Sequence, residues 1–298
     1  MPEYTDKQLI EELKLRLGKN RSSEETLENI QRELKSVNRK LEESESMKSH
    51  FISNITNEII NPFSSILGLS KAILKVDKEN WKKVVSMVAM IHSEAFALDF
   101  QLKNIFAAAK IEAGEIVPEI GKVDIFSLMS SVVNSFSIEA KKKKVAIDFN
   151  YRIQSRSERS KYFKTDAEKL RLIMANMINN AVKFSFEEGV VTVDVSKEGK
   201  FLVVSVIDNG TGISEENQEI IFDRFKRVDS GITSTLRGHG LGLSINKAML
   251  DLLNGEINVS SQIGEGSEFT IRLPEHDDEA TMTAYDSDEI FFDEKQMF

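Results

Sequence analysis

Three polar side chains share one face of a predicted helix. Asn176, Asn180 and Lys183 are separated by four and three residues, a spacing that aligns side chains on an α-helix. Two carboxamides and an ammonium on one stripe can hold a hydrated Mg²⁺ and a polyphosphate, because Mg²⁺ takes few protein oxygens and keeps waters and phosphate oxygens as ligands. The alternative for these residues is a solvated polar face.

A carboxylate follows the apolar run FLVVSVID. Asp208 ends this run, and Gly210 and Gly212 come directly after it. A carboxylate in this position can accept a hydrogen bond from an exocyclic amine, and glycines allow the backbone to approach a ligand closely. On its own, the pattern also fits an ordinary turn at the end of a strand.

A second glycine cluster comes before an amphipathic segment. Gly238, Gly240 and Gly242 lie in RGHGLGLSINKAML. Glycine-rich backbone at the start of a helix can direct N–H groups toward phosphate oxygens.

Two heptad runs predict the helices that come before these groups. The first alternates spacings of three and four residues and continues in frame past Ser44 and Lys48 to Phe51 and Ile55. The second ends at Gly114. Their apolar positions are Leu27, Ile30, Leu34, Val37 and Leu41 in the first run, and Trp81, Val84, Val88, Ile91, Ala95, Leu98, Leu102, Ile105 and Ala109 in the second. Such stripes are typical of coiled coils and antiparallel bundles. We therefore expect an α-helical hairpin that forms a dimeric four-helix bundle, preceded by an N-terminal coiled coil.

The pattern changes to mixed strands and helices from about residue 122. Four runs alternate with a period of two, as strands do: VAIDFNY, VVTVDVS, FLVVSVID and EFTIRLP. Helical segments are predicted at 124–140, 166–184 and 240–254. This order predicts an α+β sandwich whose sheet is covered on one face by helices, with a hinge between Gly114 and Gly121.

Composition excludes several classes of protein. The chain has 298 residues, 41% of them hydrophobic and 29% charged, which is typical of globular domains. Its net charge of -9 is concentrated at 277–298, where eight acids accompany one lysine. The nearly neutral remainder gives nucleic-acid binding no support. No Cys is present for disulfides or thiolate metal sites.

No apolar run reaches the length of a membrane span, and the first residues do not resemble a signal peptide. We therefore expect a cytoplasmic location. The acidic segment is predicted to be a disordered end; the alternative is a peptide that docks on a partner.

Five ordered motifs resemble the ATP-binding domain of sensor histidine kinases, which is of the GHKL type shared with gyrase, chaperone and mismatch-repair ATPases. They are NMINNAVKF, DNGTGI, IFDRFKRVD, GHGLGLSI and GEGSEFTIRLP. Upstream, FISNITNEIINPFSSILG and AAAKIEAGEI resemble the two helices of that family's phosphoacceptor hairpin. The resemblance places the hairpin at 46–116 and the ATP-binding domain at 120–275. The heptad pattern adds a coiled coil at 1–45, and the composition adds an acidic tail at 276–298.

The resemblance also implies ligands, partners and roles. It implies ATP and Mg²⁺ as cofactors, with Asn180 ligating Mg²⁺ assisted by Asn176, and Asp208 recognising the adenine amine beside Gly210 and Gly212. It implies a homodimer, or a heterodimer with another histidine kinase, and a response regulator receiver domain as partner. The remaining implied positions are Lys183 and Arg227 as phosphate contacts, and Phe222 and Phe225 as anchors of a lid at about 226–239 that Gly238, Gly240 and Gly242 close.

The phosphoacceptor motif departs from the family. The family has His between Ser/Thr and Glu, whereas this chain has Asn57. A carboxamide nitrogen has a delocalised lone pair and is not a useful nucleophile. Glu58 and Asn61 occupy the positions that the resemblance assigns to a proton acceptor and to a group that orients water. Ile60 and Phe63 replace the usual Arg and Leu, so natural degeneration of the motif is favoured over an engineered His-to-Asn change. His50, seven residues before Asn57, is an alternative phosphate acceptor.

Three functions from different classes follow. The first is an ATP-binding regulator or response-regulator phosphatase that cannot phosphorylate itself at the usual site. The second is an active kinase that uses another acceptor, or an ATPase in which water replaces the His. The third is a non-catalytic coiled-coil scaffold, which the complete set of Mg²⁺ and glycine motifs disfavours.

Overall fold

The computed structural model describes residues 59–77, 80–153, 162–223 and 240–276, together with positions 11, 30–31, 34–35 and 37–39. The chain forms two compact units, Met1–Asn54 and Ile55–Phe298. In the first unit the described residues are helical, and Ile30, Leu34 and Val37 are exposed. The elements below belong to the second unit.

Two helices open the second unit. Residues 59–73 form α1, which continues through the buried Pro62. Helix α2 spans Trp81–Ala113 and ends at Gly114, whose φ of 68° is left-handed. The predicted helix and its glycine stop are therefore confirmed.

Helix α2 buries a face other than its heptad stripe. Its buried residues are Ser93, Phe96, Asn104 and Ala107. In contrast, Trp81 and Val88 of the predicted stripe are 68% and 51% exposed in the single chain. Apart from Ala109, the other stripe residues are half-buried, so the stripe is only partly covered and can pack on another surface.

The remaining elements form the α+β part. The strands are β1 (Gly121–Asp124), β2 (Ala146–Tyr151), β3 (Tyr162–Thr165), β4 (Val190–Glu198), β5 (Phe201–Asp208), β6 (Glu256–Gln262) and β7 (Gly266–Pro274). The helices are α3 (Ile125–Ser135), α4 (Ser137–Lys142), α5 (Ala167–Phe184), α6 (Glu215–Gln218) and α7 (Gly242–Leu252), and a 3-10 turn covers Ile220–Phe222.

The five-stranded sheet has the order β2-β4-β5-β7-β6. Strand β2 runs parallel to β4, and the other neighbours are antiparallel. Register places Val193, Val206 and Phe269 side by side, and all three are buried. Alternate residues of the central strands thus form one apolar face, on which α3, α5 and α7 lie. This confirms the predicted sheet with helices on one face.

Some elements differ from the sequence prediction. The ribbon of β1 and β3 and the edge strand β6 were not among the predicted strands. The segment predicted as one helix over 124–140 is broken at Phe136 into α3 and α4. Phe136 turns its ring into the core, where it meets the rings of Phe96 and Phe100 edge-on at 5.4 and 6.1 Å between centroids. Tertiary packing of this aromatic ring outweighs continuation of the helix.

Candidate functional site

Helix α5 carries the first group of candidate residues. It begins at Asp166, whose carboxylate accepts hydrogen bonds from the backbone N–H of Lys169 at 3.0 Å and of Glu119 at 2.8 Å. A capped start of this kind stabilises the helix. Along α5, Asn176 is 2% exposed, whereas Asn180 and Lys183 are half-buried. The predicted stripe thus lies on one helix and runs from the core toward the surface.

The end of α5 is tied to the loop that follows β5. The N–H of Thr211 donates to the Phe184 carbonyl at 3.2 Å, and the N–H of Phe186 donates to the Asn209 carbonyl at 3.0 Å. A Cβ on Gly210 would stand 2.2 Å from the carbonyl oxygen of Phe184. Only glycine permits this close approach, so the DNG turn and the last turn of α5 form one rigid corner.

Asp208 lies at this corner as a buried carboxylate. It is 5% exposed, and its Oδ1 has no hydrogen-bond partner among the described residues. Burial raises the pKa of Asp208 to about 6, although backbone N–H groups of Ser267 and Gly210 and the charge of Lys143 act in the opposite direction. A buried acceptor without a partner is costly. The cost is removed when a ligand donor reaches Oδ1.

Helix α7 brings the second glycine cluster to α5. Gly240 has a φ of 66°, and Gly242 is the first residue of α7. A Cβ on Gly242 would lie 3.3 Å from Oδ1 of Asn176. The absence of a side chain at Gly242 therefore lets the start of α7 approach the Asn176 carboxamide. The N-terminus of α7 is the end of a helix that favours anions.

Side-chain hydrogen bonds hold the segment that leads from the corner toward Phe222. The N–H of Ile213 donates to Ser261 Oγ at 2.8 Å, and Gln218 Nε2 donates to the Ser261 carbonyl at 2.9 Å. Phe222 follows in the 3-10 turn and is half-buried. These bonds anchor residues 213–222 on strand β6.

Several predicted positions lie outside the described residues. They are His50, Asn57, Glu58, Phe225, Arg227, Gly238 and most of the predicted lid at 226–239, as well as the acidic residues 277–298. Asn61 is described and is an exposed residue of α1. The contacts given above join Gly242 to Asn176, and they join Gly210, beside Asp208, to the last turn of the same helix α5.

The described residues fit a nucleotide better than a carboxylate-bound metal. Among them, no group of three His, Cys, Asp or Glu side chains could hold a metal ion. Amide oxygens at a helix face and a glycine-started helix suit a metal that is mainly ligated by phosphates and water. Oδ1 of buried Asp208, which has no partner among the described residues, suits a ligand that donates a hydrogen bond. Asn176 and Asn180 would supply amide oxygens to such a metal.

Two residues of this site were missed by sequence reasoning. Lys143 donates a hydrogen bond to the Lys183 carbonyl, and Asn246 accepts one from Asn176 at 2.9 Å. Asn246 was detectable in principle, because it is a polar residue beside Ile245 and Met249 on the apolar face of α7. Lys143 belongs to a run of four lysines, and nothing in the run distinguishes it.

None of the helices in the part of the chain that the structure describes has the length and apolar character of a membrane span.

Comparison with known proteins finds relatives that are histidine kinases. Residues 165–277 match the family described as histidine kinase-, DNA gyrase B-, and HSP90-like ATPase. Hybrid signal transduction histidine kinase D of Dictyostelium discoideum is 30% identical over 285 residues, which are 92% of this chain and 18% of that protein. Circadian input-output histidine kinase CikA of Synechococcus elongatus is 27% identical over 234 residues, covering 76% of this chain and 30% of that protein. The chain thus spans less than a third of these relatives.

A solved structure has the same fold. Full-length ShkA, crystallised in complex with AMPPNP, matches with a TM-score of 0.53 at 23% identity, over 80% of this chain and 47% of that one. The family match covers the segment that holds α5, Asp208 and α7. The chain therefore belongs to the sensor histidine kinase family, and residues 165–277 are its ATPase domain.

Proposed function

We propose that this protein binds ATP with Mg²⁺ in two-component signalling but does not phosphorylate itself at position 57. Asn57 takes the place of the nucleophilic His of the family, and a carboxamide cannot attack a γ-phosphate usefully. The chain then acts as a regulator of another kinase or as a phosphatase of a response regulator. One observation carries the nucleotide part: buried Asp208 keeps an unpartnered Oδ1 among the described residues, at the corner between α5 and β5.

The proposed nucleotide site assigns a task to each described group. Asp208 accepts a hydrogen bond from the adenine amine, Asn180 and Asn176 supply amide oxygens to Mg²⁺, and Lys183 contacts phosphate. Mg²⁺ supplies neutralisation of phosphate charge. The proposal also assigns a phosphate contact to Arg227, and it assigns roles in the lid to Phe225 and Gly238. The presence of all these residues in one chain supports a nucleotide-binding protein rather than a non-catalytic scaffold.

A homodimer is part of the proposal. On α1, Ile60, Phe63 and Leu67 follow one another at spacings of three and four and are all exposed in the single chain. Trp81 and Val88 on α2 are exposed as well. Two exposed apolar stripes on consecutive helices support a four-helix bundle that a second copy, or a related kinase, completes.

Incubation with γ-labelled ATP tests the missing nucleophile. The unmodified protein is expected to acquire no phosphate that is acid-labile and base-stable, as phosphohistidine is. The Asn57→His variant is expected to acquire some, because Glu58 and the nucleotide site are retained. Phosphohistidine in the unmodified protein would contradict the proposal and favour an active kinase with another acceptor, such as His50.

Two controls make the result interpretable. Asn57→Gln keeps a carboxamide and should stay unlabelled. Asn57→His combined with Asn180→Ala should also stay unlabelled, because the Mg²⁺ ligand is lost. If Asn57→His binds ATP normally and remains unlabelled, the loss extends beyond position 57, which strengthens the regulatory function. Release of phosphate from a phosphorylated receiver domain then tests the phosphatase alternative, with Asn61→Ala as its loss-of-function variant.

A further inference from the structure

Two carboxamides meet at the contact between α5 and α7. Asn176 Nδ2 donates to Asn246 Oδ1 at 2.9 Å and to the Gly242 carbonyl at 3.3 Å. Asn246 Nδ2 donates to the Ile173 carbonyl at 3.1 Å. Asn176 is 2% exposed and Asn246 is fully buried. Residues 70 positions apart in the chain are thus joined in a buried contact.

The main-chain carbonyls determine which way each amide points. A carbonyl oxygen only accepts, so the Ile173 carbonyl requires the NH₂ group of Asn246 on its side. Oδ1 of Asn246 then faces Asn176, and the only group of the Asn176 side chain that can donate to it is NH₂. The Gly242 carbonyl likewise only accepts, so it also requires the NH₂ group of Asn176 on its side. Both contacts use Nδ2, so Oδ1 is the atom of the Asn176 carboxamide that remains for a further partner, and it lies 3.3 Å from the position that a Cβ would take on Gly242.

We infer that Asn246 is a positioning residue that holds the Asn176 carboxamide with Oδ1, rather than Nδ2, directed to the metal side of the nucleotide site. The inference rests on the proposed function, in which Asn176 serves Mg²⁺. An amide that turns by half a rotation offers an NH₂ group, which repels a cation. Residues that orient a ligand in this way commonly change metal affinity about 10-fold to 100-fold when they are replaced.

The same contact places the start of α7. Gly242 lies one helical turn before Asn246, and its carbonyl accepts from Asn176. The amide pair therefore joins the helix that carries the Mg²⁺ ligands to the helix whose N-terminus faces phosphate. A buried polar pair of this kind is stable only while both partners are satisfied.

Nucleotide affinity measured with and without Mg²⁺ separates orientation from packing. Calorimetry gives the Kd of ATP in Mg²⁺ and in EDTA, and the ratio of the two is the gain from the metal. Asn246→Leu, which has nearly the same shape as Asn, is expected to lower this gain about tenfold while leaving the Kd in EDTA within about twofold. Asn176→Ala should lower the gain similarly, and the double variant should be no worse than Asn176→Ala alone.

Three results would contradict the positioning role of Asn246. An unchanged metal gain in Asn246→Leu, a parallel loss of affinity in EDTA and in Mg²⁺, or additive losses in the double variant would each overturn the positioning role. If Asn246→Leu does not fold, Asn246→Ala is measured in its place, with the thermal midpoint recorded for each variant. Failure of the unmodified chain to bind ATP, or to gain from Mg²⁺, would remove the proposed function and this inference together.

Discussion

The ammonium of Lys143 donates a hydrogen bond to the main-chain carbonyl of Lys183, in the last turn of α5. Lys143 follows α4, so this bond connects α4 to the helix that carries Asn176 and Asn180. Burial lowers the pKa of Lys143, and the negative charges of Asp208 and Glu187 act to raise it. A cation placed here helps to keep the buried Asp208 ionised.

Replacing Lys143 should shift the pH dependence of nucleotide binding. In Lys143→Met the pKa of Asp208 rises above its value of about 6, because a neighbouring positive charge is lost. The pH at which ATP affinity is half-lost on acidification should therefore move upward. Calorimetry between pH 5 and 8 measures it. Lys144→Met is the control, since Lys144 pairs with the exposed Glu187 at 3.1 Å. Equal shifts in both variants would contradict the assignment.

Asp208→Asn should weaken ATP binding and raise the free energy of unfolding at pH 7. The pKa of Asp208 is about 6 in the folded chain, above the ordinary value of about 3.9 for an unfolded Asp. Its stabilising contribution is therefore complete below about pH 4 and is lost as pH rises through 6. Asn does not ionise, so the Asp208→Asn variant keeps this stability as pH rises. At pH 7 it should be more stable than the unmodified protein by about 1–2 kcal/mol.

Chemical denaturation at pH 4 and at pH 7 measures this difference, which should be small at pH 4 and should grow toward pH 7. The same variant should bind ATP about tenfold more weakly or worse, because an amide offers both donor and acceptor where the adenine amine needs an acceptor. A variant that is less stable than the unmodified protein at pH 7 would show that the backbone N–H groups of Ser267 and Gly210 stabilise the charged carboxylate by more than its burial costs.

The contact between α2 and the α3–α4 break should contribute strongly to stability. Phe96 is 6% exposed, and its ring meets Phe136 at 5.4 Å between centroids. Ser93 Oγ donates to Glu139 Oε1 at 3.0 Å beside it. Phe96→Ala should cost about 3–5 kcal/mol in the free energy of unfolding.

Phe106 on the same helix provides the matched control, because it is 63% exposed. Phe106→Ala should change stability by less than about 1 kcal/mol. Urea denaturation of both variants at one protein concentration makes the comparison. Similar losses in the two variants would show that α2 is not held by this contact.

The proposed dimer should depend on the exposed α2 stripe. Val88→Glu places a charge in the proposed bundle interior, where an unpaired charge is costly. Since Val88 is 51% exposed in the single chain, the fold of each copy should remain and the protein should become monomeric at micromolar concentration. Ser86→Glu adds the same charge off the stripe and should leave the dimer intact. Light scattering distinguishes the two states, and a monomeric unmodified protein would contradict the bundle.

Strong periodicity explains which elements could be predicted from the sequence. Strand β5 alternates buried and half-buried residues along its whole length, so its pattern is visible locally. Strand β6 buries only Ile257, because among the described residues it lies at the edge of the sheet and pairs with β7 alone. An edge strand with one buried residue leaves too little apolar alternation to be recognised.

The sequence by itself determined the family and the α2 helix with its stop at Gly114, and it supplied the residues of the proposed nucleotide site, because these depend on local spacing and short motifs. Tertiary structure decided how the site residues are held. Asn176 meets Asn246, and Lys143 reaches Lys183, only when distant segments fold together. The raised pKa of Asp208 likewise comes from burial by neighbouring elements. Burial and hydrogen-bond partners are properties of packed surfaces, and no local pattern specifies which surfaces meet.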